Sequence, residues 1–141
     1  MTESATPQNM LAITRAVMQI LDSWRLDSDT MRQVLGLPEK VRSRAFARYR
    51  EGRESFPNDP KVLQRCEYVL RIADALRTAY PVNPRMSSRW IHQRQKRFGG
   101  RTPISMILED GDTGFAVVLG EVDCTFAWDC TGSKPATAAA K

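Results

Sequence analysis

The chain is poor in the side chains on which catalysis and metal binding most often rest. Its 141 residues contain one histidine, His92, and three cysteines, Cys66, Cys124 and Cys130, with no C-x2-C pair. That spacing gives neither a zinc site nor a dithiol redox motif, and an odd count of isolated thiols points to reduced cysteine. His92 has no carboxylate or cysteine at ligand spacing, so no metal or catalytic role is expected of it. No P-loop, G-x-S-x-G or H-E-x-x-H motif is present, and the run EDGDTG from Glu109 to Gly114 has too few ligands at the required positions for a calcium loop. No cofactor is therefore expected, and an enzyme would have to work through an isolated thiol such as Cys124 or Cys130. Long apolar runs are missing too. None nears the ~18 residues of a membrane helix, and MTESATPQN at the start lacks the basic-then-apolar pattern of a signal peptide. The cytoplasm is the expected compartment, with no membrane partner.

Basic residues are missing from one long stretch. From Ile104 to Ser133 there is no Lys or Arg, while Glu109, Asp110, Asp112, Glu121, Asp123 and Asp129 all fall there. Between Arg32 and Arg101 the balance reverses, with 17 basic residues against 6 acidic ones. The net charge of +5 thus averages a basic body and an acidic end. Such a division suits a polyanion at one place and a basic partner at another. It equally suits two solvated faces that attract each other within the chain. Hydrophobic content of 42% with 26% charged residues is ordinary for a globular protein, and the length allows one domain or two small lobes sharing a core.

Apolar periodicity is helical almost throughout, so the expected fold is mainly α. Met10, Ile13, Val17, Ile20 and Trp24 form a stripe on a helix from about Asn9 to Ser23. A short helix with Met31, Val34 and Leu35 follows, capped by Asp27 or Ser28 and stopped at Gly36. A second helix is expected to open at once at Pro38 and run to about Glu51, so that the pair outlines a helix-turn-helix. On it Val41, Ala45, Phe46 and Tyr49 face a core, while Lys40, Ser43, Arg44, Ala47 and Arg48 lie opposite with Arg50 beside them. Cations spaced by small residues suit entry into a DNA major groove, and an exposed basic helix of no special purpose has the same pattern.

GRESFPNDP, from Gly52 to Pro60, marks a lobe boundary. Asn58 or Asp59 then caps a long helix with Pro60 in its first turn, with Val62, Cys66, Val69, Ala73, Leu76 and Tyr80 inside and Glu67 and Arg71 at i,i+4 spacing. Val82 to Met86 reads as a loop, and Ser87 or Ser88 as the cap of a helix carrying Trp90, Ile91 and the polar run His92 to Arg97. Gly99-Gly100 permit a sharp corner, Thr102 and Pro103 open a helix to Leu108, and 109–114 reads as a turn. Phe115 to Asp123 fits a helix by its stripe, although Val117, Val118 and Gly120 tolerate a strand and leave room for a short β pair near the C-terminus. Residues 131–141 have no apolar face and read as a disordered tail.

Trp90-Ile91, then Phe98-Gly99-Gly100-Arg101-Thr102-Pro103-Ile104, then Met106-Ile107-Leu108, Gly111 and Gly114-Phe115, resemble the C-terminal toxin-binding domain of the Xre/MbcA/ParS antitoxin family. Leu70-Arg71-Ile72 and Ala75-Leu76 are similar to that domain's first helix. In the front part, Trp24-Arg25-Leu26, Val34-Leu35-Gly36 and Arg48-Tyr49-Arg50-Glu51-Gly52 are similar to its helix-turn-helix. The resemblance covers roughly Ala12 to Val122. Two features depart from the family pattern: Arg94-Gln95 stand where Pro-Asn is common, and the distance from Gly36 to Gly52 is about one helical turn longer.

The resemblance implies a bacterial type II antitoxin, not itself an enzyme, whose partner is a RES-domain toxin that consumes NAD. Residues 9–55 would form the helix-turn-helix module and 58–130 the toxin-binding lobe. The DNA-facing set would be Lys40, Ser43, Arg44, Arg48 and Arg50, acting on operator DNA, with a homodimer matching a two-fold operator. Toxin contact is expected at Arg101, Glu109, Asp110, Asp112, Phe115, Glu121 and Asp123, while Trp90, Phe98, Gly99, Gly100, Thr102 and Pro103 build the corner that presents them. The longer Gly36 to Gly52 segment would re-aim Lys40, Arg44 and Arg48, which keeps open an antitoxin without specific DNA binding. A thiol-dependent enzyme is the alternative of another class.

Overall fold

Three helix starts in this chain obey one rule, a short polar side chain followed by proline. The computed structural model describes residues 7–123. In it Asp59 accepts from the Lys61 N–H at 2.8 Å ahead of Pro60, and Asn83 from the Arg85 N–H at 3.1 Å ahead of Pro84. Thr102 accepts from the Ser105 N–H at 3.1 Å ahead of Pro103. Each oxygen satisfies an N–H that the first helical turn leaves without a partner, and proline in that turn has no N–H to satisfy. Asp27 does the same without proline, accepting from Thr30 at 2.8 Å.

Seven helices result among the described residues: α1 Pro7–Ser23, α2 Ser28–Leu35, α3 Ser43–Glu51, α4 Pro60–Ala79, α5 Pro84–Ile91, α6 Pro103–Asp110 and α7 Asp112–Val122. A single 3-10 turn, Lys96–Phe98, lies between α5 and α6. The mainly helical class expected from periodicity is the one observed. Pairing of strand type among the described residues is limited to one antiparallel bridge, Gln95 with Arg101.

Several boundaries differ from the sequence-predicted ones. The helix expected from Pro38 begins at Ser43. Pro38 is preceded by Leu37, which has no oxygen to cap a helix, and Leu37 is buried, its N–H donating to the Arg32 carbonyl at 3.0 Å. The chain therefore turns, with the Val41 N–H on the Pro38 carbonyl, and re-enters a helix only after the extended Arg42. The segment expected as a loop to Met86 is helical from Pro84, because Asn83 and not Ser87 or Ser88 is the cap. Helix α5 also stops at Ile91. The expected turn over 109–114 contracts to Gly111, with helix on both sides. Phe115 to Val122 is helical despite its β-branched residues, since Phe115, Val118 and Leu119 are all fully buried against the rest of the fold. The expected tail and the acidic Asp129 lie outside the described residues.

Helix α4, 20 residues long, is the post on which the others stand. Its Val62, Cys66, Val69, Ile72 and Leu76 are buried, and α1, α2, α5 and α7 all pack on it. One core runs from Met10 to Leu119 through every helix. The segment between α3 and α4, the expected lobe boundary, is fastened to α1. Thr14 donates its hydroxyl to the Met10 carbonyl at 2.7 Å and accepts from the Phe56 N–H at 2.9 Å. Phe56 itself is buried, edge-on to Tyr49 with ring centres 4.8 Å apart.

Helices α6 and α7 meet at backbone distance. A Cβ added to Gly114 would overlap the carbonyl oxygen and carbon of Met106 and come within 3.1 Å of the Asp110 Cβ. Backbone cannot swing aside as a side-chain tip can, so any larger residue must force the two helices apart. Gly114→Ala is expected to lower stability by about 3 kcal/mol or more. Gly120→Ala on the same helix meets nothing within 4 Å and is expected to be neutral or to stabilise by up to about 1 kcal/mol. Denaturant unfolding of the two variants separates a packing effect from a propensity effect. Equal behaviour would show that the α6–α7 contact is not close.

Candidate functional site

The basic face expected on the second helix is split by the late start of α3. Lys40 stands in the seven-residue connection from Gly36 to Arg42, off the helix, whereas a helix-turn-helix turn takes about 3–4 residues. Ser43, Arg44, Ala47 and Arg48 are exposed on α3, with Arg42 ahead of them. Arg48 pairs with Glu54 at 2.7 Å, and both side chains are nearly half exposed. An exposed pair of this kind contributes at most about 1 kcal/mol, so a phosphate can replace the carboxylate at little cost. Arg50 is committed differently. Its Nε and Nη2 reach the two carboxylate oxygens of Asp22 at 2.9 and 3.0 Å, tying α3 to α1. Hydrogen bonding to Asp22 holds the Arg50 guanidinium above even its usual high pKa. Of the five expected DNA-facing residues, Ser43, Arg44 and Arg48 thus share an exposed helical face, Lys40 precedes it, and Arg50 is directed back to α1.

The corner between α5 and α6 is built as the spacing of its residues suggests. Trp90 and Phe98 are buried and meet edge-on at 6.4 Å. Gly99 and Gly100, at φ of 68° and 86°, close a loop in which Gln95 and Arg101 form the bridge. Thr102 and Pro103 then start α6. Arg101, at the rim, reaches Glu109 at 2.7 Å and Asp110 at 3.2 Å, and the hydrogen bond it donates to Asp110 raises its pKa above the usual value.

The acidic end folds back on the basic body. Asp112 accepts from Arg65 at 2.7 Å, Glu121 pairs with Arg97 at 3.3 Å, and Asp123 with Arg71 at 3.5 Å. All five described carboxylates of this stretch are therefore in ion pairs, which is the mutual attraction that the charge division allowed. Glu109 and Asp112 remain the most accessible, their side chains being 64% and 62% exposed, and an ionised carboxylate accepts several hydrogen bonds at once. Phe115 is a correction to the expected contact set. It is fully buried, stacked on Tyr68 at 5.1 Å, and offers no surface to a partner.

Sequence reasoning missed the partner arginines, Arg65 above all. Its guanidinium donates to the Val34 carbonyl at 3.0 Å and the Gln33 carbonyl at 3.4 Å, holds Asp112, and lies 5.5 Å from the centre of the Phe115 ring. It therefore neutralises the negative C-terminal end of α2 and the Asp at the start of α7 together. The surplus of arginine in the body was the only signal, and it carries no addresses.

Cys66 is buried in α4, and burial pushes its thiol up to about 12. It is thus protonated at neutral pH and is no nucleophile. Cys124 and Cys130 lie outside the described residues. Among the described residues no cluster of three or more His, Cys, Asp and Glu side chains is placed to hold a metal, and no helix is long and apolar enough to cross a membrane. Comparison with protein-family models, with characterised proteins and with solved structures gives no match.

Arg65→Ala is expected to lower stability by about 2 kcal/mol, because two helix-end carbonyls and a carboxylate lose a charged donor. Arg65→Lys should recover less than half, having one point charge in place of a planar fork. A loss below about 0.5 kcal/mol on denaturant unfolding would reduce Arg65 to an ordinary surface pair. In a chain carrying Cys124→Ser and Cys130→Ser, Cys66 is expected to resist alkylation at pH 8 until denaturant is added. Rapid labelling of the native chain would contradict its burial.

Proposed function

We propose that the chain is the antitoxin of a bacterial type II pair and binds a RES-domain, NAD-consuming toxin through α6 and α7, obstructing its active site. The observation that carries this is the run from Trp90 to Phe115. Its resemblance to the toxin-binding domain of the Xre/MbcA/ParS family rests on residues that each have a structural task here: the Trp90–Phe98 contact, the glycine corner, the Thr102-Pro103 start and the close approach at Gly114. Glu109, Asp110, Asp112, Glu121 and Asp123, with Arg101 at the rim, are the contact set. An acidic edge suits a pocket lined with the cations that bind the pyrophosphate of NAD. A homodimer would offer two α3 helices to a two-fold operator, through Ser43, Arg44 and Arg48.

A second reading keeps toxin binding and gives up specific DNA recognition. It is favoured by the late start of α3, which takes Lys40 off the helix, and by the attachment of Arg50 to Asp22.

Co-expression with the product of the neighbouring gene tests the main reading. That product is expected to arrest growth alone and to be neutralised by this chain. A harmless neighbour, or growth that stays arrested, would overturn it. For DNA, Arg44→Ala with Arg48→Ala is expected to weaken operator binding, to lower the salt slope by about two phosphates' worth and to leave rescue intact. An unchanged slope favours the second reading.

A further inference from the structure

Among the described residues one non-glycine backbone is left-handed: Arg25, with φ of 62°. It ends α1 by the same hydrogen bonds that end α2 and α3. The Arg25 N–H reaches the Asp22 carbonyl and the Leu26 N–H that of Leu21, just as Gly36 and Leu37 close on Gln33 and Arg32, and Gly52 and Arg53 on Tyr49 and Arg48. The other two caps use glycine, which adopts this conformation without strain, whereas a side chain there costs free energy. The structure thus keeps an arginine where glycine fits better, and its side chain has no ion pair among the described residues. An observed outlier of this kind points towards a function for the side chain.

That side chain lines a cleft of about 650 Å3 between the end of α1 and α5. Arg85, Ser88, Arg89 and His92 line it as well, at the i, i+3, i+4, i+7 spacing of one helical stripe. No carboxylate contributes to the lining. Nine other arginines are paired with Asp or Glu, while Arg25, Arg85 and Arg89, like Arg15, Arg42, Arg44 and Arg94, make no ion pair among the described residues. His92 Nε2 donates to the Trp24 carbonyl at 2.7 Å, which pins the end of α5 to the turn that carries Arg25 and fixes the two walls relative to each other.

We propose that this cleft binds a phosphoryl anion, of the class of small phosphate esters and pyrophosphates. Three arginines, Arg25, Arg85 and Arg89, line one concavity to which no carboxylate contributes, and the planar fork of arginine matches phosphate oxygens in pairs. The volume is that of a small-molecule site, and a duplex backbone, being convex and extended, is the poorer occupant. The site stands independently of the antitoxin reading.

The test is calorimetric titration of the full chain with inorganic pyrophosphate at constant ionic strength. Saturable binding of one anion is expected, weakened at least tenfold by Arg85→Ala with Arg89→Ala. The charge-matched change of Arg53→Ala with Lys61→Ala should alter it less than twofold. Arg25→Gly is expected to raise Tm by a few degrees while weakening pyrophosphate binding severalfold, so that lost affinity there does not come from lost folding. Absence of saturable heat, unchanged affinity in Arg25→Gly, or an equal loss in the Arg53 and Lys61 control would overturn the site. A short duplex DNA is expected not to displace pyrophosphate. Displacement would overturn the small-ligand assignment and make the occupant a nucleic-acid phosphate.

Discussion

Everything beyond the glycine corner depends on the absence of a side chain at Gly114. Because nothing projects from that position, α7 lies directly on the Met106 carbonyl of α6. The two helices then form one thin slab, with a single residue, Gly111, between them. On the slab's apolar side α7 buries Phe115, Val118 and Leu119 against the post of α4, while α6, with Ile107 buried, packs on α2 and α5. Its other edge carries Glu109, Asp110 and Asp112 within reach of arginines. Separating the helices by the width of a methyl group would misplace the core side and the charged edge together, since close-packed interiors transmit such shifts and do not absorb them.

Arg65 turns that local arrangement into a global one. Asp112 on α7 and the last carbonyls of α2 are far apart in sequence, and one guanidinium serves both. Its position over the Phe115 ring adds a cation–π contact in a partly dry setting, where such contacts count for more than at an exposed surface. The side chain is 19% exposed, so these bonds are screened less than those of the surface pairs. The acidic end is therefore part of the fold's own electrostatics as well as a surface, and a partner that takes up these carboxylates must compete with bonds already made.

Local chemistry was legible in the sequence, and distances between elements were not. Asp59-Pro60 and Thr102-Pro103 announce their helices because both the cap and the proline act within one turn. Asn83-Pro84 carries the same signal, and the helix was expected to start at Ser87 or Ser88 only because the proline and asparagine of that stretch read as loop residues. Leu37-Pro38 shows the converse: proline after a residue without a capping oxygen does not start a helix. Phe115 to Val122 was ambiguous by propensity and is decided by burial, which periodicity can suggest but not rank. The partners of the charged residues were beyond reach. Asp22 and Arg50 lie 28 residues apart and Arg65 and Asp112 lie 47 apart, and composition predicts attraction between such groups without saying which ones meet. The stripe of Arg85, Arg89 and His92 escaped notice for the same local reason, since Arg85 lay in the stretch read as a loop and a stripe is visible only once all its residues are known to share a helix.

The bond from the Phe56 N–H to the Thr14 hydroxyl bears on how the molecule opens. Phe56 sits in irregular chain between α3 and α4, where amides ordinarily exchange freely with water, yet its hydrogen is held inside the core by a side chain of α1. Exchange at that amide requires α1 to lift away from the segment, and α1 also packs on α3 and α4. The protection of one loop amide therefore reports a collective event, and the stretch that looks most like a hinge in the sequence opens only when the front of the protein opens with it.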